Sequence, residues 1–156
     1  MAERSYLGAG LTTGPNRSAA IATLAIAIGV LSLAQIPVAP GSEVDLRAPD
    51  YLEGWTQASL FGFGISTPKG RAIETAPGRI VWNRPLPEQF TLGLDIGVAA
   101  PNTRVRISVG DQREVIAVPR NGPTRIEIHN PLGLREIRLA TVPPRAHFQL
   151  RRAMVH

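Results

Sequence analysis

Hydrophobic and polar residues alternate along the second half of this chain with the period of a β-strand. Phe90, Leu92, Leu94, Ile96 and Val98 are separated by Thr91, Gly93, Asp95 and Gly97. Successive side chains of a strand point to opposite faces, so this run predicts a half-buried strand with its apolar set on the core side. The pattern recurs over shorter lengths. Val105, Ile107 and Val109 face inward against Arg104, Arg106 and Ser108. Ile116 and Val118, Ile126 and Ile128, Ile137 and Leu139, and Phe148 and Leu150 supply the inward positions of residues 114–118, 124–129, 136–141 and 147–152. Upstream, residues 79–83 put Ile80 and Trp82 on one face, residues 72–75 form a short strand, and the apolar run 59–65 reads as a strand with a glycine-marked bulge. Turn chemistry separates these runs at Thr67-Pro68-Lys69-Gly70, Ala76-Pro77-Gly78, Pro101-Asn102, Gly110-Asp111-Gln112, Asn121-Gly122-Pro123 and Asn130-Pro131-Leu132-Gly133. No segment beyond residue 50 shows a helical period. Short strands at this spacing predict an all-β fold, an antiparallel β-sandwich of jelly-roll or immunoglobulin-like type; the pattern leaves the strand order open.

The first part of the chain is patterned differently. Residues 18–36, SAAIATLAIAIGVLSLAQI, contain no charged side chain. A helix of that length spans roughly 28 Å, close to the hydrocarbon thickness of a bilayer. Pro37 and Pro40 then end it. The expected organisation is a cytoplasmic tail at 1–17, a single transmembrane helix at 18–37, a linker at 38–50 and a periplasmic β-sandwich at 51–156. Ala22, Ala25 and Gly29 fall on one side of the helix and form a candidate helix-packing face. A cleaved signal peptide is the competing reading, because Ser32-Leu33-Ala34 has the small-x-small form of a peptidase site. Arg4 and Arg17 precede the apolar run and Arg47 follows it, which favours a cytoplasmic N-terminus. Tyr51 and Trp55 follow closely enough to meet lipid headgroups or a glycan.

Composition narrows the chemistry. There is no cysteine, which removes disulfides and thiol catalysis and leaves stability to the core. Lys69 is the only lysine among seventeen basic residues, and from Gly41 onward fifteen basic residues face eleven acidic ones, for a charge of +4. Such a surplus suits a surface near anionic headgroups or acidic glycans. Arg104, Arg106, Arg125 and Arg138 all fall on strand faces opposite the core. If their strands are neighbours, they form a basic patch able to hold phosphate, carboxylate or an acidic partner. The competing reading pairs these arginines across strands with Asp95, Glu127 and Glu136.

No catalytic constellation is visible. His129, His147 and His156 have no metal-ligand spacing, although Glu127 and His129 share a strand face. No serine lies in a nucleophile elbow, and Gly62-Phe63-Gly64 opens no phosphate loop because no helix follows it. The expectation is therefore no catalytic residue, no metal and no cofactor. Nucleic acid is not an expected partner, because interleaved aromatics are missing.

Several motifs together resemble a known domain: Gly62-Phe63-Gly64, Lys69-Gly70-Arg71, Gly78-Arg79-Ile80-Val81-Trp82, Pro85-Leu86-Pro87, Phe90-Thr91-Leu92, Pro101-Asn102 and Val105-Arg106-Ile107-Ser108-Val109-Gly110. Over residues 60–142 the chain is similar to the poorly characterised β-sandwich domain at the C-terminal end of bacterial membrane-bound phosphoglycerol-transferase-like and sugar-transferase-like envelope proteins. It departs from that pattern at Ala72, where the family tends to place tryptophan, and in its compressed ending. The transferase portion is missing, so the resemblance carries over no catalytic residue. It implies an envelope module beside glycan or headgroup chemistry. Two functions follow. The first is a non-enzymatic, single-pass accessory subunit of the bacterial inner membrane, docking its sandwich on an integral membrane protein complex. The second is an anchored module that binds an envelope glycan or anionic lipid headgroup for a separate transferase.

Overall fold

The computed structural model of the chain describes residues 35–49 and 57–156. Its regular structure there consists of ten β-strands: β1 (Ser42–Asp45), β2 (Ala58–Phe61), β3 (Arg71–Ala72), β4 (Gly78–Trp82), β5 (Gln89–Ala99), β6 (Arg104–Val109), β7 (Gln112–Ala117), β8 (Gly122–His129), β9 (Glu136–Val142) and β10 (Phe148–Val155). The tail, nearly all of the apolar segment with Ala22, Ala25 and Gly29, and the aromatics Tyr51 and Trp55 lie outside the described residues. Among the described residues no helix is long and apolar enough to cross a membrane.

The strands form two antiparallel five-stranded sheets. The first has the order β1-β10-β5-β8, with β3 also pairing with β10; the second has the order β2-β4-β9-β6-β7. The inward residues of both sheets meet in one core. Leu92, Leu94, Ile96, Phe148 and Leu150 come from the first sheet, and Ile80, Trp82, Val105, Ile107, Ile137 and Leu139 from the second. This is the set that period-two alternation selects, and burying each side chain contributes on the order of 2 kcal/mol.

The structure departs from the sequence-based expectation at two places. Residues 42–45, expected as linker, form β1 and pair with β10 from Ser42↔Val155 to Asp45↔Arg152. Val38, Val44 and Leu46 are buried in the common core. The linker appearance arose because Pro37, Pro40 and Gly41 surround too short an alternation to announce a strand. The second departure lies in β5. Ile96 pairs with Leu150 and Val98 with Gln149, so Gly97 is an extra residue in β5. Asp95 then pairs with Arg152, which makes Arg151 an extra residue in β10. The alternation shifts at this bulge: Ala99 is buried, whereas Val98, expected inward, is half-buried.

The turn at 67–70 covers the outside of the first sheet at this bulge. Thr67 and Gly70 exchange backbone hydrogen bonds of 3.1 and 2.9 Å, closing the turn. A Cβ built at Gly97 would lie 2.7 Å from the carbonyl carbon of Lys69, with the carbonyl oxygen nearer still. Only glycine admits this approach. Beneath the turn, Arg71 is 4% exposed and donates to the backbone oxygens of Leu46 (3.1 Å), Ala48 (2.8 Å) and Gly64 (3.4 Å). One guanidinium thus ties the exit of β1 to the loop before β3.

Candidate functional site

The outer face of the second sheet gathers the most distinctive chemistry. β4, β9 and β6 alternate core and solvent positions, and β7, exposed at Arg113, Glu114, Val115 and Ala117, takes its outward face from its register with β6. Register then decides which outward residues are neighbours. Arg79 on β4 lies opposite Arg138 on β9, Arg138 opposite Ser108 on β6, and Ser108 opposite Arg113 on β7. Phe61 on β2 extends the same row beyond Arg79. In the next row Ala140, Arg106 and Val115 are aligned, and Val142, Arg104 and Ala117 form the row after that.

Five arginines therefore share one sheet face, and Glu136 is the carboxylate among them. Glu136 lies 3.7 Å from Arg79, whose guanidinium also stacks 4.9 Å from the centre of the Phe61 ring. Arg138 donates from Nε to the same carboxylate. Among the described residues, Arg104, Arg106 and Arg113 have no carboxylate within ion-pair distance. Like charges facing one another across strands destabilise a sheet by a fraction of a kcal/mol per pair. Arg79 opposite Arg138 is such a pair, with Glu136 offsetting part of the repulsion.

Pro77, Arg106, Ser108, Gly110, Arg113, Arg138 and Ala140 line a shallow depression of about 220 Å³ on this face. Ser108 is at its centre, with Arg138 and Arg113 on the flanking strands and Arg106 two residues back along β6. Its walls hold guanidinium forks and one hydroxyl, with no carboxylate among them.

Of the four arginines singled out by sequence, Arg104, Arg106 and Arg138 come together here because β6 and β9 are neighbours. Arg125 does not join them: it lies on β8 opposite Gly93, in the other sheet. Sequence reasoning missed Arg79 and Arg113. Arg113 stands just after a turn and outside the alternating stretch 114–118, and the outward position of Arg79 opposite Ile80 was the available signal for it.

The first sheet treats its charges differently. Asp95, 9% exposed, accepts a 2.8 Å hydrogen bond from Arg151 Nη2, and Arg152 Nε lies 3.5 Å from its second oxygen, an ion pair without hydrogen-bond geometry. Consecutive residues of a regular strand face opposite ways. The bulge lets Arg151 and Arg152 reach the same carboxylate. Arg151 also donates to Asn121, and Arg152 lies 3.8 Å from Glu43. At the end of β1 the Arg47 guanidinium hydrogen-bonds Asp45 and holds its carboxyl below the usual range, against the opposing pull of partial burial.

Glu127 and His129 share a wider depression of about 570 Å³ with Gln89, Thr91, Gln112 and His156. No group of three potential metal-ligating side chains is arranged to hold an ion among the described residues. Trp82 is 1% exposed and belongs to the core, so it offers no face on which a sugar could stack. No family model, curated protein or solved structure matches this chain.

Proposed function

We propose that this chain is a non-catalytic, single-pass accessory subunit of the bacterial inner membrane. Its apolar segment is the anchor, and its sandwich docks in the periplasm on a larger membrane assembly through the arginine face of β4, β9, β6 and β7. The observation that carries this reading is the gathering of Arg79, Arg104, Arg106, Arg113 and Arg138 on one face, where Glu136 is the one carboxylate paired with them among the described residues. The face is broad and shallow, the form that suits a macromolecular surface better than an enclosed small molecule.

The fold reading becomes finer on the strand order. β1, β10, β5 and β8 in one sheet and β4, β9, β6 and β7 in the other wind as the two interleaved Greek keys of a jelly roll, with β2 and β3 as additions. The second functional reading, an anchored module for an envelope glycan or anionic headgroup, loses Trp82 as a sugar platform and keeps the arginines as its support.

Purification of the full-length protein from its native membrane in mild detergent tests the docking. The expected result is co-purification with a larger assembly in fixed ratio, lost when Arg79 and Arg104 are both changed to Glu. Recovery of the chain alone, or an assembly indifferent to this reversal of charge, overturns the reading.

A further inference from the structure

The geometry points to a phosphate-group site in the depression formed by Arg106, Ser108, Arg113 and Arg138. The inference rests on the reading of this face as a recognition surface and names the chemistry recognised there. Three guanidiniums belong to three adjacent strands, and their register fixes them around one hydroxyl. Neighbouring strands are about 4.8 Å apart, so Arg138 and Arg113 stand about 10 Å apart at their backbones with Ser108 between them. Arginine side chains are long enough to converge over that interval. Arg106 approaches from the next row on the same face.

The number and kind of donors select the ligand. A carboxylate has two oxygens and is satisfied by one guanidinium fork. Three forks and a hydroxyl call for an anion with three or four terminal oxygens, as in a phosphate monoester or inorganic phosphate. Glu136 engages Arg138 through its Nε, which leaves the terminal nitrogens of that guanidinium to face a ligand. Arg106 and Arg113 have no carboxylate partner among the described residues, so an incoming anion displaces no existing ion pair at either.

Size sets the other limit. A depression of about 220 Å³ lies below the range of sites that enclose a drug-sized ligand. Its remaining walls, Pro77, Gly110 and Ala140, offer no aromatic face on which a base or sugar could stack. The site therefore fits a phosphate group whose bearer extends out of it, either a lipid headgroup or a small soluble phosphate compound.

The absence of cysteine allows a direct test. A single thiol introduced by Ala140→Cys, labelled with an environment-sensitive fluorophore, reports occupancy in the full-length protein. In detergent, inorganic phosphate is titrated against acetate at constant ionic strength. In nanodiscs, phosphatidylcholine alone is compared with phosphatidylcholine containing phosphatidic acid. Phosphate is expected to give a saturable response that acetate does not. Arg106→Gln with Arg113→Gln weakens it by about tenfold or more, as the loss of two charge-assisted contacts requires. Arg125→Gln, which removes charge from the opposite sheet, changes it by less than about twofold.

A response already present in phosphatidic acid discs and abolished by the double variant identifies a lipid source. A response to phosphate in detergent without one in the discs identifies a soluble source. Equal responses to phosphate and acetate with no change in the discs, or equal losses in the double variant and Arg125→Gln, overturn the inference. If these negative results accompany an intact assembly that still depends on Arg79 and Arg104, the docking reading survives without the phosphate site. If the assembly is also missing, both fail.

Discussion

The contrast between Gly93 and Gly97 gives a sharp test of how β5 is packed. Both glycines lie on that strand four residues apart, and neither adopts a left-handed φ. Alanine at each position adds one methyl group, but the neighbours differ. At Gly93 the new Cβ would meet the end of the His156 side chain, at 3.0 Å from Nε2 and 3.3 Å from Cδ2. A flexible side chain can swing aside. Replacing glycine also narrows the unfolded ensemble, a gain of roughly 0.4–1 kcal/mol at a compatible site. Gly93→Ala should therefore fall within about 0.5 kcal/mol of the parent or slightly above it.

At Gly97 the obstacle is backbone. The Cβ would stand 2.7 Å from the Lys69 carbonyl carbon, whereas carbon atoms rest about 3.5–4.0 Å apart. The carbonyl oxygen is nearer still, so the turn would have to withdraw by more than about 1 Å. It is closed by the reciprocal Thr67–Gly70 hydrogen bonds and by the Thr67 hydroxyl donating to the Gly70 carbonyl at 2.7 Å. Gly70 itself has a φ of +97° and presses against the Leu150 backbone, so the turn has little room to yield. Overpacking of this kind costs about 1–3 kcal/mol, and the rigid neighbour places Gly97→Ala near the upper end. For a domain of this size that is a drop in Tm of about 10 °C. Urea and thermal unfolding of the full-length protein in detergent, followed by tryptophan fluorescence, measures both variants. Equal stabilities for Gly93→Ala and Gly97→Ala would refute the argument that the turn is held against the bulge.

Five further outcomes are expected. Asn130 is buried and donates to the Leu86 and Leu134 carbonyls at 3.2 and 3.1 Å while accepting from Leu134 N at 3.0 Å, so Asn130→Ala should cost about 3 kcal/mol in urea unfolding. Asn130→Asp turns a carboxylate toward those two carbonyls, raises the folded-state pKa of that group, and should regain stability as pH falls, a trend that Asn130→Ala must not share. The Asp45 carboxyl is held below its ordinary 3.8 by Arg47, so the pair contributes above that value and its contribution disappears as pH falls through the depressed one; the small stability difference between the parent and Asp45→Asn should be present at neutral pH and vanish in acid. Asp95→Ala leaves Arg151 and Arg152 without their shared carboxylate, and because these side chains keep 28% and 38% exposure the cost should be about 2 kcal/mol, below that of a fully buried pair. Arg106→Gln removes a like charge from a crowded face and should stabilise the fold by on the order of 0.3 kcal/mol at low salt, an effect that high salt suppresses.

The all-β fold was legible because alternation is a local property. Ile80 and Trp82, Leu92 to Ile96, Val105 to Val109, and Ile137 and Leu139 each declare a core face within a few residues, and the structure buries them all. The exceptions arise where a contact distant in sequence overrides the local pattern. Val98 loses its core position because the turn around Lys69, almost thirty residues earlier, fits over Gly97 and supports a bulge there. Residues 42–45 become a strand only because β10, more than a hundred residues later, offers them an edge. The arginine face was half-legible for the same reason. Alternation showed which arginines point outward, but sheet order alone decides that β6 and β9 adjoin while β8 belongs to the other sheet.

The handling of charge in the two sheets separates residues kept for stability from residues kept for something else. In the first sheet an irregularity of the backbone brings Arg151 and Arg152 to one carboxylate, and Asn121 and Glu43 occupy further donors. The charges of Arg151 and Arg152 are neutralised there at the cost of regular pairing, although Arg125 on β8 has no carboxylate partner among the described residues. In the second sheet the pairing of β6 with β7 and β9 is regular, and simple alternation puts Arg104, Arg106 and Arg113 outside without a carboxylate among the described residues. Nothing in the packing requires arginine at these positions, since any polar side chain would satisfy an exposed strand face. Arg79 opposite Arg138 adds a repulsion that Glu136 offsets only in part. A face that leaves Arg104, Arg106 and Arg113 without carboxylates among the described residues supports the proposed negatively charged partner. The row Arg138, Ser108 and Arg113 is where that partner should make its closest approach.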